Sequence, residues 1–340
     1  MARRCALLLL ICLAGCGRTG PASDLDDYQQ RLARVLDQPV PPATTAMAPR
    51  LPPLREFRQE IPRESIDILE FFRISRCELH QLVAERNSNL GIMAAPSQRL
   101  VYEVNFLRVG YDCLQAIDED QPSLRENLAE VLDRKREALP LVIWKATLGG
   151  DEFRDFWKPG SSDPPEAFAG DGEVVYALAQ LRDDVARWLG GNYEISSSRL
   201  ENQLDLIRQG DGGVQMKAWD LLANELGAAS RLVDERLARR PLCFQAMKTP
   251  TADIFNNLVR SLFVGKIQVW AAGLNSRYYR VFPLVRELET LLAGAEPPAY
   301  REWRTSRDNR LAESTGALGE HVKALTPLFE QCNLLPSDNR

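Results

Sequence analysis

The chain has 340 residues and a net charge of −5, with 45% hydrophobic and 26% charged residues. That is length enough for one large or two ordinary domains, and the acidic balance excludes the basic footprint of a nucleic-acid binder. Beyond the N-terminal run, no stretch is long and apolar enough to span a bilayer, which takes about 20 residues.

The chain opens MARRCALLLLICLAGCGRTG. Arg3 and Arg4 form a short positive start, and Cys5 to Leu13 is an apolar stretch too short for a membrane span. Small residues, Ala14 and Gly15, come next and lead into Cys16. This is the layout of a secretory signal. Leu13-Ala14-Gly15-Cys16 resembles the bacterial lipobox. The resemblance implies a diacylglyceryl thioether on Cys16, cleavage just before it (residues 1–15 being the signal peptide), and acylation of the new amine. Two or more acyl chains anchor stably where one does so marginally, because each buried CH2 contributes about 0.8 kcal/mol. Asp after the lipidated cysteine retains lipoproteins in the inner membrane. Gly17 stands there, so the resemblance implies the periplasmic face of the outer membrane.

Seven cysteines are present. Cys5 and Cys12 leave with the signal, and Cys16 takes lipid. Cys77, Cys113, Cys243 and Cys332 remain, and an even number in an exported chain reads as disulfides with three connectivities open. Cys77 with Cys113 and Cys243 with Cys332 is the favoured pairing, each closure contributing about 4 to 5 kcal/mol in the chain-entropy model. The alternative is four buried thiols. No CxxC pair supports a redox or zinc motif.

The periodicity is helical nearly throughout. Leu25, Tyr28, Leu32 and Val35 mark a first helix with Ser23 as its N-cap, so residues 16–38 form a lipidated N-terminus and first helix. From Pro39 to Pro62 there are seven of the chain's 21 prolines. Residues 39–63 are therefore an extended connector, running over the surface or spacing the body from the membrane. A helical body follows over 64–335. Leu69, Phe72, Leu79 and Leu82 mark a helix from Glu64 to Asn87. Leu100, Val104, Leu107, Tyr111 and Leu114 mark the next. Ser123 with Glu126 forms a capping box opening a long helix that Pro140 kinks and Gly149–Gly150 stop. A loop over 159–172 is the best sub-boundary. Val174, Leu178, Leu181, Val185 and Trp188 mark a further helix, and Ser198 with Glu201 is a second capping box. Leu222, Leu226, Val233 and Leu237 continue to Pro241. Ile254, Leu258, Leu262, Val269, Leu288, Leu291, Leu318, Val322, Leu325 and Phe329 carry the pattern to the end. The expectation is an all-α multi-helix bundle of about ten helices, stapled by disulfides, with no convincing strand. Cys77 and Cys113 then lie on neighbouring helices at unequal distances from the turn near Gly91, so a lopsided turn is needed to bring them within about 7 Å.

SRCELHQLVAERNSNLG (75–91), with YQQRLARVLD (28–37), PSQRLVYEVNFL (96–107), the connector and the lipobox, resembles a proteobacterial lipoprotein family known as domain of unknown function 3080. The resemblance implies lipidation and implies no activity.

HExxH, P-loop, GxGxxG and GxSxG patterns are absent, and only two histidines exist, His80 and His321. A His-rich metal site is excluded, and no cofactor is expected. QGDGG (209–213) lacks the later ligands of a calcium loop and reads as a helix-to-helix turn. His80 sits one turn from Cys77, and a Cys-His nucleophile needs that thiol free. Glu70 and Glu103 have apolar neighbours, as a glycosidase acid needs, yet both suit an ordinary helix surface.

Two polar stretches are better candidates, for binding. Glu85, Arg86, Asn87 and Asn89 lie in ERNSN at a helix end, where they satisfy terminal carbonyls or line a small polar pocket. In AYREWRTSRDNR, Arg301, Arg304, Arg307 and Arg310 recur every three residues beside Tyr300 and Trp303. That combination suits a phosphate, an acidic partner or an interface, or a solvated face with charge pairs such as Arg304 with Asp308. The sequence thus points to a membrane-bound, periplasm-facing, non-enzymatic binding or adaptor protein, whose partner is an envelope protein or anionic envelope component. The alternative is a peptidoglycan hydrolase or its activator. A small-ligand binder using 85–89 is a third reading.

Overall fold

The computed structural model describes residues 19–42, 46–60, 77–86, 94–118, 120–161, 163–168, 172–245 and 247–334. The expected signal peptide, Cys16, most of the helix predicted over 64–87 (Glu70 included), Asn87 and Asn89 lie outside the described residues. The fold is all-α, and among the described residues the one extended pairing is a single bridge between Phe244 and Met247.

Helix α1 spans Pro21–Leu36 and buries Leu25, Tyr28, Leu32 and Leu36. Its N-cap is Gly20 rather than the expected Ser23. Pro21 starts the helix earlier because its fixed φ and missing N–H suit the first turn. Residues 46–60 follow as extended chain with one 3-10 turn, Leu54–Phe57. Then come α2 (Glu78–Arg86), α3 (Pro96–Ala116), α4 (Pro122–Ala146) and α5 (Asp151–Phe156). The Ser123 capping box does not form. Pro122 takes the first helical position behind Gln121, which makes no side-chain cap, and α4 continues through Pro140 to Ala146.

Helices α6 (Glu173–Leu189), α7 (Ser197–Arg208) and α8 (Gly212–Arg239) follow. The cap of α7 is Ser196, accepting from Arg199 N, two residues before the expected Ser198. The QGDGG stretch is the α7–α8 turn. A Cβ on Gly213 would stand 2.3 Å from Trp157 O, so only glycine lets α8 start against the end of α5.

The next rod is continuous: α9 (Pro250–Leu258), a π-helical segment (Val259–Ile267) and α10 (Gln268–Leu291). Its i→i+5 turns are wider than α-helical ones, and they reset the phase of the apolar stripe. Ile254 and Val269, expected inside, are exposed, while their neighbours Phe255 and Trp270 face the core. Val322 on α11 (Pro298–Gln331) is likewise exposed beside buried His321.

The most extensive interface joins α8 and α11, with α3 on α4, α1 on α8, and α6 on both α7 and α10. Buried side chains from both sides of the 159–172 loop belong to one contiguous core, Phe168 of the loop among them. Two disulfides close it. Cys77–Cys113 joins the entry of α2 to α3 with Cα atoms 5.6 Å apart, and Cys243–Cys332 joins the end of α8 to the end of α11 at 5.1 Å. The favoured connectivity is the one formed.

The second bridge closes 89 residues. Replacing both Cys243 and Cys332 by Ser should lower unfolding free energy by about 2 to 5 kcal/mol in urea titration. A variant as stable as the parent would show that the bridge does not constrain the unfolded chain.

Candidate functional site

Residues three apart on an α-helix differ by about 300°, so an i,i+3 row drifts about 60° per step around the axis. Arg301, Arg304, Arg307 and Arg310 therefore do not share one face of α11. They sweep from solvent to core. The Arg301 side chain is 54% exposed and Arg304 is 24% exposed, while Arg307 is fully buried. Trp303 is buried too. The expected anion-binding surface is thus corrected: Trp303 and Arg307 face inward.

Arg307 grips Glu289 of α10 with two parallel N–H···O bonds of 2.8 Å, and Tyr300 donates to the same carboxylate at 2.8 Å. Its guanidinium lies 5.0 Å from the rings of both Trp157 and Trp303. It also reaches Asp308 at 3.0 Å. Burial works against the guanidinium's charge, but the charge and hydrogen bonds of Glu289, with Tyr300 and Asp308, together hold the Arg307 pKa above its ordinary value. Burial, then the Glu289 charge, raises Tyr300 well above the phenol range. Arg301 and Arg304 share Glu296, at 3.2 and 2.9 Å.

The fourth arginine belongs to a different task. Arg310 bonds Asp220 of α8 at 2.7 Å and the carbonyl of Ala46 at 3.1 Å. Asn224 also donates to Ala46 O, and the Ala48 N–H donates to Asp220. The Trp303 indole N–H donates to Pro49 O at 2.9 Å, and Arg154 donates to Pro52 O at 3.0 Å. Lys145 donates to Gln59 O, and Phe57 is buried against Trp144 and Tyr300. Residues 46–60 are therefore strapped onto the body. Extended backbone needs partners for its carbonyls, and here α4, α5, α8 and α11 supply them.

His321 is the polar centre that sequence reasoning left unused. Its Nε2 lies 2.8 Å from the Tyr28 hydroxyl and its Nδ1 2.9 Å from Ser230 Oγ. Ser230 donates its own proton to Leu226 O at 2.8 Å. Nδ1 therefore carries the hydrogen, and Nε2 accepts from Tyr28. With its proton directed at a carbonyl, Ser230 is not aligned for attack, so the trio is a hydrogen-bonded lock between α1, α8 and α11. Phe263 of the π-helix closes over it, 4.9 Å from the imidazole. Burial lowers the His321 pKa to about 4 and pushes Tyr28 upward.

Of the other expected sites, Glu85 is exposed and accepts from Gln81, and Arg86 lies 5.7 Å from the Tyr102 ring. Glu103 is buried, and its carboxylate is held by Lys135 at 2.6 Å. Among the described residues, no group of three or more His, Cys, Asp or Glu could hold a metal ion. No described helix is long and apolar enough to cross a membrane. A cavity of about 660 Å³ opens between the start of α1, the end of the π-helix and residues 166–168.

The profile of a family described as "Protein of unknown function (DUF3080)" matches residues 25–336. The chain belongs to this family. No curated protein and no solved structure shows a significant match. The DUF3080 match takes in α1 from Leu25 onward, the strap, every later described helix through α11 and both disulfides.

Two outcomes follow for this DUF3080 chain. Glu289→Ala strands a buried guanidinium and should cost about 3 to 5 kcal/mol of stability, whereas Glu289→Leu with Arg307→Met should recover much of that loss. Equal losses would mean that the charges are not coupled. His321 is neutral when folded and charges at about 4, against 6.5 unfolded. Its contribution is thus full above pH 6.5 and is lost as pH falls toward 4, a change of about 3 kcal/mol. Denaturation of wild type and His321→Gln at pH 7.5 and 4 should show that excess loss in the wild type alone.

Proposed function

We propose that this chain is a lipid-anchored protein of the bacterial envelope. Residues 1–15 leave as a signal peptide, Cys16 carries the lipid, and the helical body faces the periplasm from the outer membrane. It acts by binding an envelope protein or anionic component rather than by catalysis. The distribution of cysteines carries this reading. Cys5, Cys12 and Cys16 lie in or end the apolar run that resembles a lipobox, and the other four form two disulfides. Paired cysteines suit an oxidising compartment such as the periplasm.

A binding role is supported by how the strongest polar groups are engaged. The Arg307–Glu289 pair and the Tyr28–His321–Ser230 chain are closed upon themselves inside the core. Of the expected binding residues, Glu85, Arg86, Arg301 and Arg304 are at least partly exposed, each already held within the fold, while Trp303 and Arg307 are buried.

Growing producer cells on an alkynyl fatty acid tests the anchor. The label should appear on the Cys16 peptide, and Cys16→Ala should lose it and leave the membrane fraction. An unlabelled wild type, or a variant that stays with the outer membrane, would reject the anchor.

A further inference from the structure

The 660 Å³ cavity lies where the described chain begins. Thr19, Gly20, Pro21 and Ser23 form one wall. Gly20 has φ +116°, a conformation that side-chain-bearing residues rarely adopt, so glycine sets the direction in which the chain enters α1. The facing wall is largely hydrocarbon: Ile267, Val269 and Trp270 of the rod, with Ala167 and Phe168 of the loop. The Trp270 N–H is already taken by Pro165 O at 3.0 Å, which leaves the ring's carbon faces for packing. The Lys266–Asp24 ion pair and Glu166 supply the charges of the lining.

Two features say what fits there. Gly273 lines the cavity from within α10, and a Cβ added to it would meet nothing within 4 Å. A mid-helix glycine is about 1 kcal/mol less favourable than alanine, so this one keeps space open at a cost to its helix. The second is distance. Cys16 is three residues before Thr19, so at about 3.3 to 3.6 Å per residue it cannot be farther than ~11 Å from the cavity wall.

We propose that this cavity seats one acyl chain of the lipid borne by Cys16 of the same molecule. The proposal rests on the lipid-anchor reading above and adds where one chain of that lipid goes. The volume falls within the roughly 300 to 1,000 Å³ of ligand pockets, and each methylene withdrawn from water contributes about 0.8 kcal/mol. A diacylglyceryl thioether plus an acylated amine carries three chains. One chain in the protein leaves two in the bilayer, enough for stable anchoring. The start of α1 and the end of the π-helix are then held at the membrane surface, with no free tether between anchor and body.

The test uses the full lipidated protein from cells fed the alkynyl fatty acid, with p-benzoylphenylalanine in place of Val269 or, as control, the exposed Tyr279. Mass mapping before irradiation shows whether Cys16 carries the alkyne. If it does not, the anchor reading itself fails. If it does, irradiation should join the residue-269 peptide to the lipidated Cys16 peptide and leave the residue-279 peptide unjoined. Gly273→Trp, which fills the space, should cut the 269 product about tenfold, the change a ~1.4 kcal/mol penalty on the seated chain produces. Gly273→Leu, a smaller plug, should reduce it with a melting temperature no lower than the parent's, because leucine is the better helix former. A labelled Cys16 with no 269 product above the 279 control, a 269 product formed with a lipid other than that on Cys16, or a product indifferent to both plugs would each overturn the proposal while leaving the anchor standing.

Discussion

A fully desolvated guanidinium has few acceptable environments, and the placement of Arg307 constrains much of what surrounds it. The charge is tolerable because Glu289 answers it with two bonds and because the rings of Trp157 and Trp303, themselves in edge contact, each lie 5.0 Å from the guanidinium. Those partners come from α10, from the residue after α5 and from α11 itself. Satisfying one arginine thereby sets the relative positions of three elements. It also orients Trp303, whose ring faces the cation while its N–H points outward to Pro49. The strap over residues 46–60 consequently shares a tryptophan with the buried ion pair. A loosening of α10 against α11 would be felt at the strap through Trp303.

The fold class was legible because apolar spacing near 3.6 needs only local sequence. Leu25, Tyr28 and Leu32 on α1, and Leu178, Leu181, Val185 and Trp188 on α6, are buried as that spacing requires. The expected caps failed at Ser23 and Ser123 because proline starts those helices ahead of the serine. The stripe failed at Ile254 and Val269 because no single period describes a rod that passes from α to π and back. The favoured cysteine pairing is the one formed, yet its geometry depends on how α2 meets α3, which spacing alone does not give.

The candidate site was less legible, for a reason that the arginine row makes concrete. Three-residue spacing looks like a stripe on paper and is a spiral on a helix. Whether a given arginine is outside or inside then depends on an acidic partner that local spacing does not locate. Glu289 is 18 residues before Arg307, and Asp220 is 90 before Arg310. His321 gave no signal for the same reason, since Tyr28 and Ser230 lie 293 and 91 residues away. The connector was recognised as extended, but its course over the body is decided by carbonyl partners scattered across four helices.

These contacts place two unlike locks along α11. Near its start, Arg307 keeps its charge across any ordinary pH. Nearer its end, the imidazole must stay neutral to accept from Tyr28, so that contact is sensitive to acid. Protonation puts a hydrogen on Nε2, where Tyr28 already points its own, and the α1–α8–α11 junction loses a bond and gains an unpaired charge. Cys332 lies beyond that junction and is tied to Cys243 at the end of α8. The bridge holds the far end of α11 beside its partner helix while the histidine layer between opens. Protonation therefore weakens the contact of α11 with α1 more than its contact with α8, because Nδ1 still donates to Ser230 and a covalent bond stands behind the second contact.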